Sequence, residues 1–117
     1  MYTIKEFEVL TLEESVGGTS LQGTIFSDYN TLCNVLGKPT FTDADPNEKV
    51  SCEWCLKVKY WEEGADVDDW DYADVTVYAW KYGRIPVEEC QWNVGGKSWI
   101  ATDLIETILA EDIANAA

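Results

Sequence analysis

The chain has 117 residues, 46% hydrophobic and 13% aromatic, which suits one domain with a real core and argues against wholesale disorder. Twenty-two Asp and Glu against eight Lys and Arg give a net charge of -14, so most of the surface repels nucleic acid and anionic membrane and attracts basic partners. There is no histidine, which excludes Ser-His and Cys-His catalysis, histidine metal sites and histidine pH switching together.

In chain order, YTIKEFEVL (2–10) alternates roughly and predicts a strand. ESVGGTSLQG (14–23), with its paired glycines, reads as a turn or loop. SDYNTLCNVLGKP predicts a short helix: Ser27 as N-cap, Asp28 in the first turn, and Tyr29, Leu32, Cys33, Val35 and Leu36 near helical spacing. Gly37 supplies the left-handed stop and Pro39 blocks continuation. TFTDADPNEKV is a polar connection.

CEWCLKVKYW then alternates cleanly, with Cys52, Trp54, Leu56, Val58 and Tyr60 on one face and Glu53, Cys55, Lys57 and Lys59 on the other. A second strand, DVTVYAWKYG, puts Val75, Val77 and Ala79 opposite Thr76, Tyr78 and Trp80. RIPVEE turns the chain, CQWNV is a third short strand of this half, and Gly95-Gly96 ends it. Ser98 caps a final helix, WIATDLIETILAEDI, with Ile100, Leu104, Ile105, Ile108 and Leu109 as its apolar stripe. The expected architecture is a single α+β domain over 1–117. An antiparallel sheet of three to four strands packs with two helices in the order β-α-β-β-β-α. No apolar run reaches the about 18 residues of a membrane span. The first residues lack the basic start and apolar centre of a signal peptide, so a cytoplasmic location with reduced cysteines is expected.

Four candidate sites arise. Cys52-x-x-Cys55, with Cys33 and Cys90, invites a zinc or redox reading, but residues three apart on a strand face opposite ways. Free thiols are expected, with no metal and no cofactor. Gly95-Gly96-Lys97-Ser98 resembles the end of a phosphate loop, yet the first glycine of that motif would fall at Gln91. What survives is an anion held by backbone N–H groups near Gly96, Lys97 and Ser98, or simply a sharp strand-to-helix turn. Asp66-x-Asp68-Asp69-x-Asp71 hints at calcium, but its sixth position is Asp71 where the calcium loop needs glycine. With no histidine, no nucleophile motif and little room for a cleft, no catalytic residue is assigned and a non-enzymatic role is expected.

The fourth site is the acidic segment between the central strands. Glu62, Glu63, Asp66, Asp68, Asp69, Asp71 and Asp74 crowd into thirteen residues with no Lys or Arg among them, and Trp61, Trp70 and Tyr72 are interleaved. One explanation is a solvated hairpin that aids solubility. The sharper one is imitation of nucleic acid. Side chains on one strand face repeat about every 6.6 Å, the same general scale as backbone phosphates. A carboxylate ribbon on this plan would enter a basic groove, the three aromatics would set the fit, and Lys57 and Lys59 would partly neutralise the neighbouring ladder.

Several short motifs resemble a group of small, poorly characterised bacteriophage accessory proteins over roughly residues 21 to 110. They are Leu36-Gly37-Lys38-Pro39 at a helix end, a strand bearing Trp54, a Val77-Tyr78 core, and the turn Trp92-Asn93-Val94-Gly95-Gly96 before a closing helix. The resemblance implies phage origin and action inside an infected bacterium, and carries over no catalytic residue. In that group the link between the central strands is a short turn; here it is enlarged and acidic. By analogy of size and charge with anti-restriction and anti-CRISPR inhibitors, the expected role is to inhibit a basic nucleic-acid-handling host protein, without direct binding to nucleic acid or membrane. Two alternatives stay open: a binder of a nucleotide signal at Gly95-Gly96, with Lys97, Ser98 and stacking on Trp92 or Trp99, and a virion structural or assembly protein.

Overall fold

The computed structural model describes residues 2–14, 18–42, 50–64, 66, 69–80 and 85–111. In chain order these form β1 (Tyr2–Val9), β2 (Ser20–Ser27), α1 (Tyr29–Leu36), β3 (Phe41–Thr42), β4 (Val50–Glu62), β5 (Asp71–Trp80), β6 (Cys90–Gly96) and α2 (Ile100–Glu111). The class is α+β as expected, but the antiparallel sheet has six strands, not three to four. The path is β1-β4-β5-β6-β2, with β3 pairing β4 off the path.

The unexpected members are β2 and β3. Ser20–Gly23, read from sequence as loop, belongs to β2. Its alternation is hidden by a register shift between Leu21 and Gly23. It is hidden also by the glycine itself, whose Cβ would lie 2.6 Å from Thr102 Oγ1 of α2. The two-residue β3 lies inside the polar connection.

The clean alternation of β4 and β5 holds. Cross-strand partners such as Trp54↔Val77, Leu56↔Val75 and Val58↔Ala73 share one face, where Val94, Ile25 and Phe7 from the neighbouring strands join them. Leu104, Ile105 and Ile108 of α2 and Leu32 and Leu36 of α1 complete this core. The other face of the sheet carries Cys55, Lys57, Lys59, Tyr72, Thr76 and Tyr78.

Two fully buried tryptophans pin α1. Trp92 Nε1 donates to Ser27 O at 3.0 Å just before the helix, and Trp54 Nε1 donates to Gly37 O at 2.9 Å just after it. The rings meet edge to face, 5.7 Å apart. The N-cap is Asp28, not Ser27: its carboxylate accepts from Thr31 N at 2.8 Å and from Thr31 Oγ1 at 3.0 Å. Gly37, at φ 96°, donates its N–H to Cys33 O and closes the helix where glycine was expected to.

Candidate functional site

β4 and β5 run further toward each other than the sequence suggests, so the link is residues 63–70. Glu62 ends β4 and Asp71 begins β5; Tyr72 and Asp74 are strand residues as well. The acidic segment is therefore the end of a two-stranded ribbon and its loop. Asp68 lies outside the described residues.

The loop is built on tryptophan. Trp61 and Trp70 are half-buried against each other with ring centres 6.1 Å apart. Trp61 Nε1 donates to Asp66 O at 2.7 Å, Asp69 N donates to the same carbonyl at 2.8 Å, and Lys5 Nζ sits 5.4 Å above the Trp70 ring. Gly64 takes φ 97°, a conformation other residues resist. Glu62, Glu63, Asp66, Asp69 and Asp71 are exposed around this frame.

The carboxylates do not form a single-file ladder on one face. Glu62 and Asp71 lie on the helix-covered side, in register with Tyr2 and Tyr60. Asp74 lies on the open side, in register with Lys57, and its Oδ2 is 3.1 Å from Lys97 Nζ. Lys57 is bracketed across the strands by Glu8 and Asp74, and Lys59 by Glu6 and Tyr72. Tyr72 is exposed, with Lys57 Nζ 4.8 Å and Lys59 Nζ 5.6 Å from its ring centre. The middle of the open face is thus largely neutralised, and the uncompensated charge gathers at the tip and along the helix-covered flank.

That flank contains residues the sequence reading missed. The Tyr2 and Tyr60 rings meet edge to face at 5.6 Å. Burial raises the Tyr2 hydroxyl above its ordinary pKa, and Glu62 of β4 and Asp103 of α2 raise it further. Burial likewise raises Tyr60, followed by Asp71, Tyr2 and Glu62. Glu62, Asp71 and Asp103, from β4, β5 and α2, thus stand around the two phenols. A shallow groove continues from Tyr2 along α2 past Asp103, Glu106 and Glu111. The sequence signal was available: the polar side of α2 holds three acids and no base.

The other candidate sites are dispersed or occupied. Cys52 lies in the core beside Trp54, while Cys55 lies on the opposite sheet face beside Glu53. Burial pushes both thiols up to about 12, far from the thiolate a metal or a nucleophile requires. Among the described residues, no group of three or more Cys, Asp or Glu is arranged to hold a metal.

Gly95 and Gly96 are not a turn but the last residues of β6, and neither has a positive φ. They are glycine because neighbours press on them: a Cβ on Gly95 would collide with Thr76 Oγ1, and one on Gly96 would be 2.6 Å from Ala101 Cβ. Lys97 pairs with Asp74, and Ser98 Oγ lies 3.5 Å from Ile100 N at the start of α2. Trp92 is buried with its N–H engaged and is not available for stacking; Trp99 is exposed. No described helix is long and apolar enough to cross a membrane. Comparisons with protein-family models, with curated proteins and with solved structures find no significant match.

Proposed function

We propose that this chain is a non-enzymatic binding protein that engages a basic, nucleic-acid-handling protein through its acidic end, in place of that protein's nucleic acid. The observation that carries the reading is the convergence of carboxylates from β4, β5 and α2 on the Tyr2–Tyr60 pair, next to an acidic loop braced by Trp61 and Trp70. Like charges gathered this way destabilise the fold unless a partner uses them. Against a basic groove they gain from the counterion release that phosphates provide. The surface contains Glu62, Glu63, Asp66, Asp69 and Asp71 from the original segment, with Asp103 and Glu106 added. Asp74 is bound to Lys97 and contributes less. Tyr72 lies on the open face with Lys57 and Lys59 at its ring, so the aromatics beside the acidic surface are Trp61 and Trp70 of the loop.

In its sharper form the reading is a phage-encoded inhibitor of a bacterial defence protein, such as a CRISPR or restriction effector, acting in the host cytoplasm. That form rests on the resemblance of Leu36-Gly37-Lys38-Pro39, the Trp54 strand, Val77-Tyr78 and Trp92-Asn93-Val94-Gly95-Gly96 to phage accessory proteins. The nucleotide-signal alternative has less support, because Lys97 is paired and Trp92 is buried.

The test is to replace Glu62, Glu63, Asp66 and Asp69 by Gln, Gln, Asn and Asn, sparing Asp71, which holds the Tyr72 N–H at 2.8 Å. The expected result is an unchanged fold and at least roughly tenfold weaker binding to the basic partner, as loss of several charge-assisted contacts implies. Binding at full strength in this variant sinks the proposal.

A further inference from the structure

Tyr60, Glu62, Asp69, Trp70 and Asp71 line a hollow of about 310 Å³ at the end of the β4–β5 ribbon. Its walls are of two kinds. Tyr60 and Trp70 are half-buried rings, while Glu62, Asp69 and Asp71 are exposed carboxylates. Strand register sets the arrangement. Asp71 lies directly across from Tyr60, and Glu62 follows Tyr60 on the same face of β4. Asp71 is already engaged, since its Oδ1 accepts the Tyr72 N–H at 2.8 Å. Glu62 and Asp69 are left as the carboxylates for a ligand. A cation is already seated at this place: Lys5 Nζ of β1, an exposed side chain, lies 5.4 Å above the Trp70 ring. The chain's own ammonium thus marks the ring as one that takes positive charge.

We infer that this hollow receives an arginine side chain of the basic partner, the guanidinium plane stacking on Trp70 in place of Lys5 and its edge donating to Glu62 and Asp69. The inference rests on the function proposed above and specifies what the acidic end reads. Charge selects a cation, because a chain of net charge -14 repels anions from a site walled by carboxylates. Shape selects arginine among cations. Its planar fork stacks on a ring and donates in its own plane to carboxylates at once, whereas the compact ammonium of lysine has no plane to stack and no fork to share. The pairing also accounts for tryptophans interleaved with acids. On a nucleic acid, arginine meets both a phosphate and the face of an unstacked base, and here a carboxylate and a ring stand for the two.

NMR titration of the full chain with N-acetyl-arginine amide, and in parallel with N-acetyl-lysine amide, tests it at about 150 mM salt, where exposed charges are screened beyond about 8 Å. The expected result is saturable shifts of the Trp70 and Tyr60 ring signals. The arginine probe should bind about threefold or more tighter than the lysine probe, the scale of an exposed cation–π contact. Glu62→Gln/Asp69→Asn, at two exposed positions, should keep the fold and abolish the saturable shifts. Equal binding of the two probes, or shifts spread without saturation over the loop and α2, overturns the inference. That result leaves the proposed function standing wherever the basic partner is still lost by the amide variant. Saturable arginine binding with no basic partner found removes the function and keeps the receptor.

Discussion

Glu53 illustrates how one residue's environment fixes its chemistry. It faces the open side of β4, yet burial raises its carboxyl above the ordinary value, and the Cys55 thiol donates to it at 3.4 Å. A carboxyl raised on folding favours the folded state while protonated. That contribution is fully present below the ordinary value of about 4.3 and is lost as pH rises through the folded value. Glu53→Gln keeps an acceptor for Cys55 and removes the buried charge. Thermal melts should therefore show a higher Tm for the variant at pH 7 and no difference below about pH 4; an equal or lower Tm at pH 7 would contradict the assignment. Cys55 and Glu53 could be placed on one strand face from alternation alone, but not their burial. That depends on Thr40, whose hydroxyl accepts from Cys55 N and donates to Leu10 O, residues far apart in sequence.

Among the elements, α1 depends on its ends. Asp28 satisfies two groups of Thr31, while Trp92 and Trp54 hold the carbonyls before and after the helix. Asp28→Ala should cost about 1 kcal/mol, read as a lower urea midpoint with unchanged slope; no change would mean that the tryptophans alone set the helix. The helices, β4 and β5 were legible because their apolar spacing matches the face they bury. β2 was not, because α2 approaches so closely at Thr102 that its strand must use glycine there, and only Ile25 of that strand is deeply buried. The ends of β4 and β5 were misjudged for a related reason. Glu62 and Asp71 read as loop residues by composition, but pairing with Tyr2 and Tyr60 keeps them in the sheet. The same pairing turns them to the helix-covered side, which is why a cluster shared with α2 is found in place of the one-face carboxylate ribbon expected from strand spacing.

For the whole molecule, the net charge of -14 is not spread evenly. Among the described residues, lysines and cross-strand carboxylates offset one another over the open face, β2 carries no charge, and Glu62, Glu63, Asp66, Asp69 and Asp71 at the β4–β5 tip stand with Asp103, Glu106 and Glu111 of α2 without a lysine in register. The acidic loop and the acids of α2 were both visible in the sequence; that Asp103 joins the carboxylates of β4 and β5 was not, since it depends on where α2 crosses the end of β1. A molecule polarised in this way should capture a partner by its charged end and release it when the charge is screened or when the natural polyanion competes. The most direct measurement is elution of the partner retained from a bacterial lysate by the immobilised chain, using duplex DNA or RNA at constant low salt. The expected outcome is that a nucleic-acid-binding protein is released by the added nucleic acid, is also released by salt, and is not retained by the Glu62/Glu63/Asp66/Asp69 amide variant. A partner that stays bound in the presence of nucleic acid, and binds the variant equally well, would contradict it.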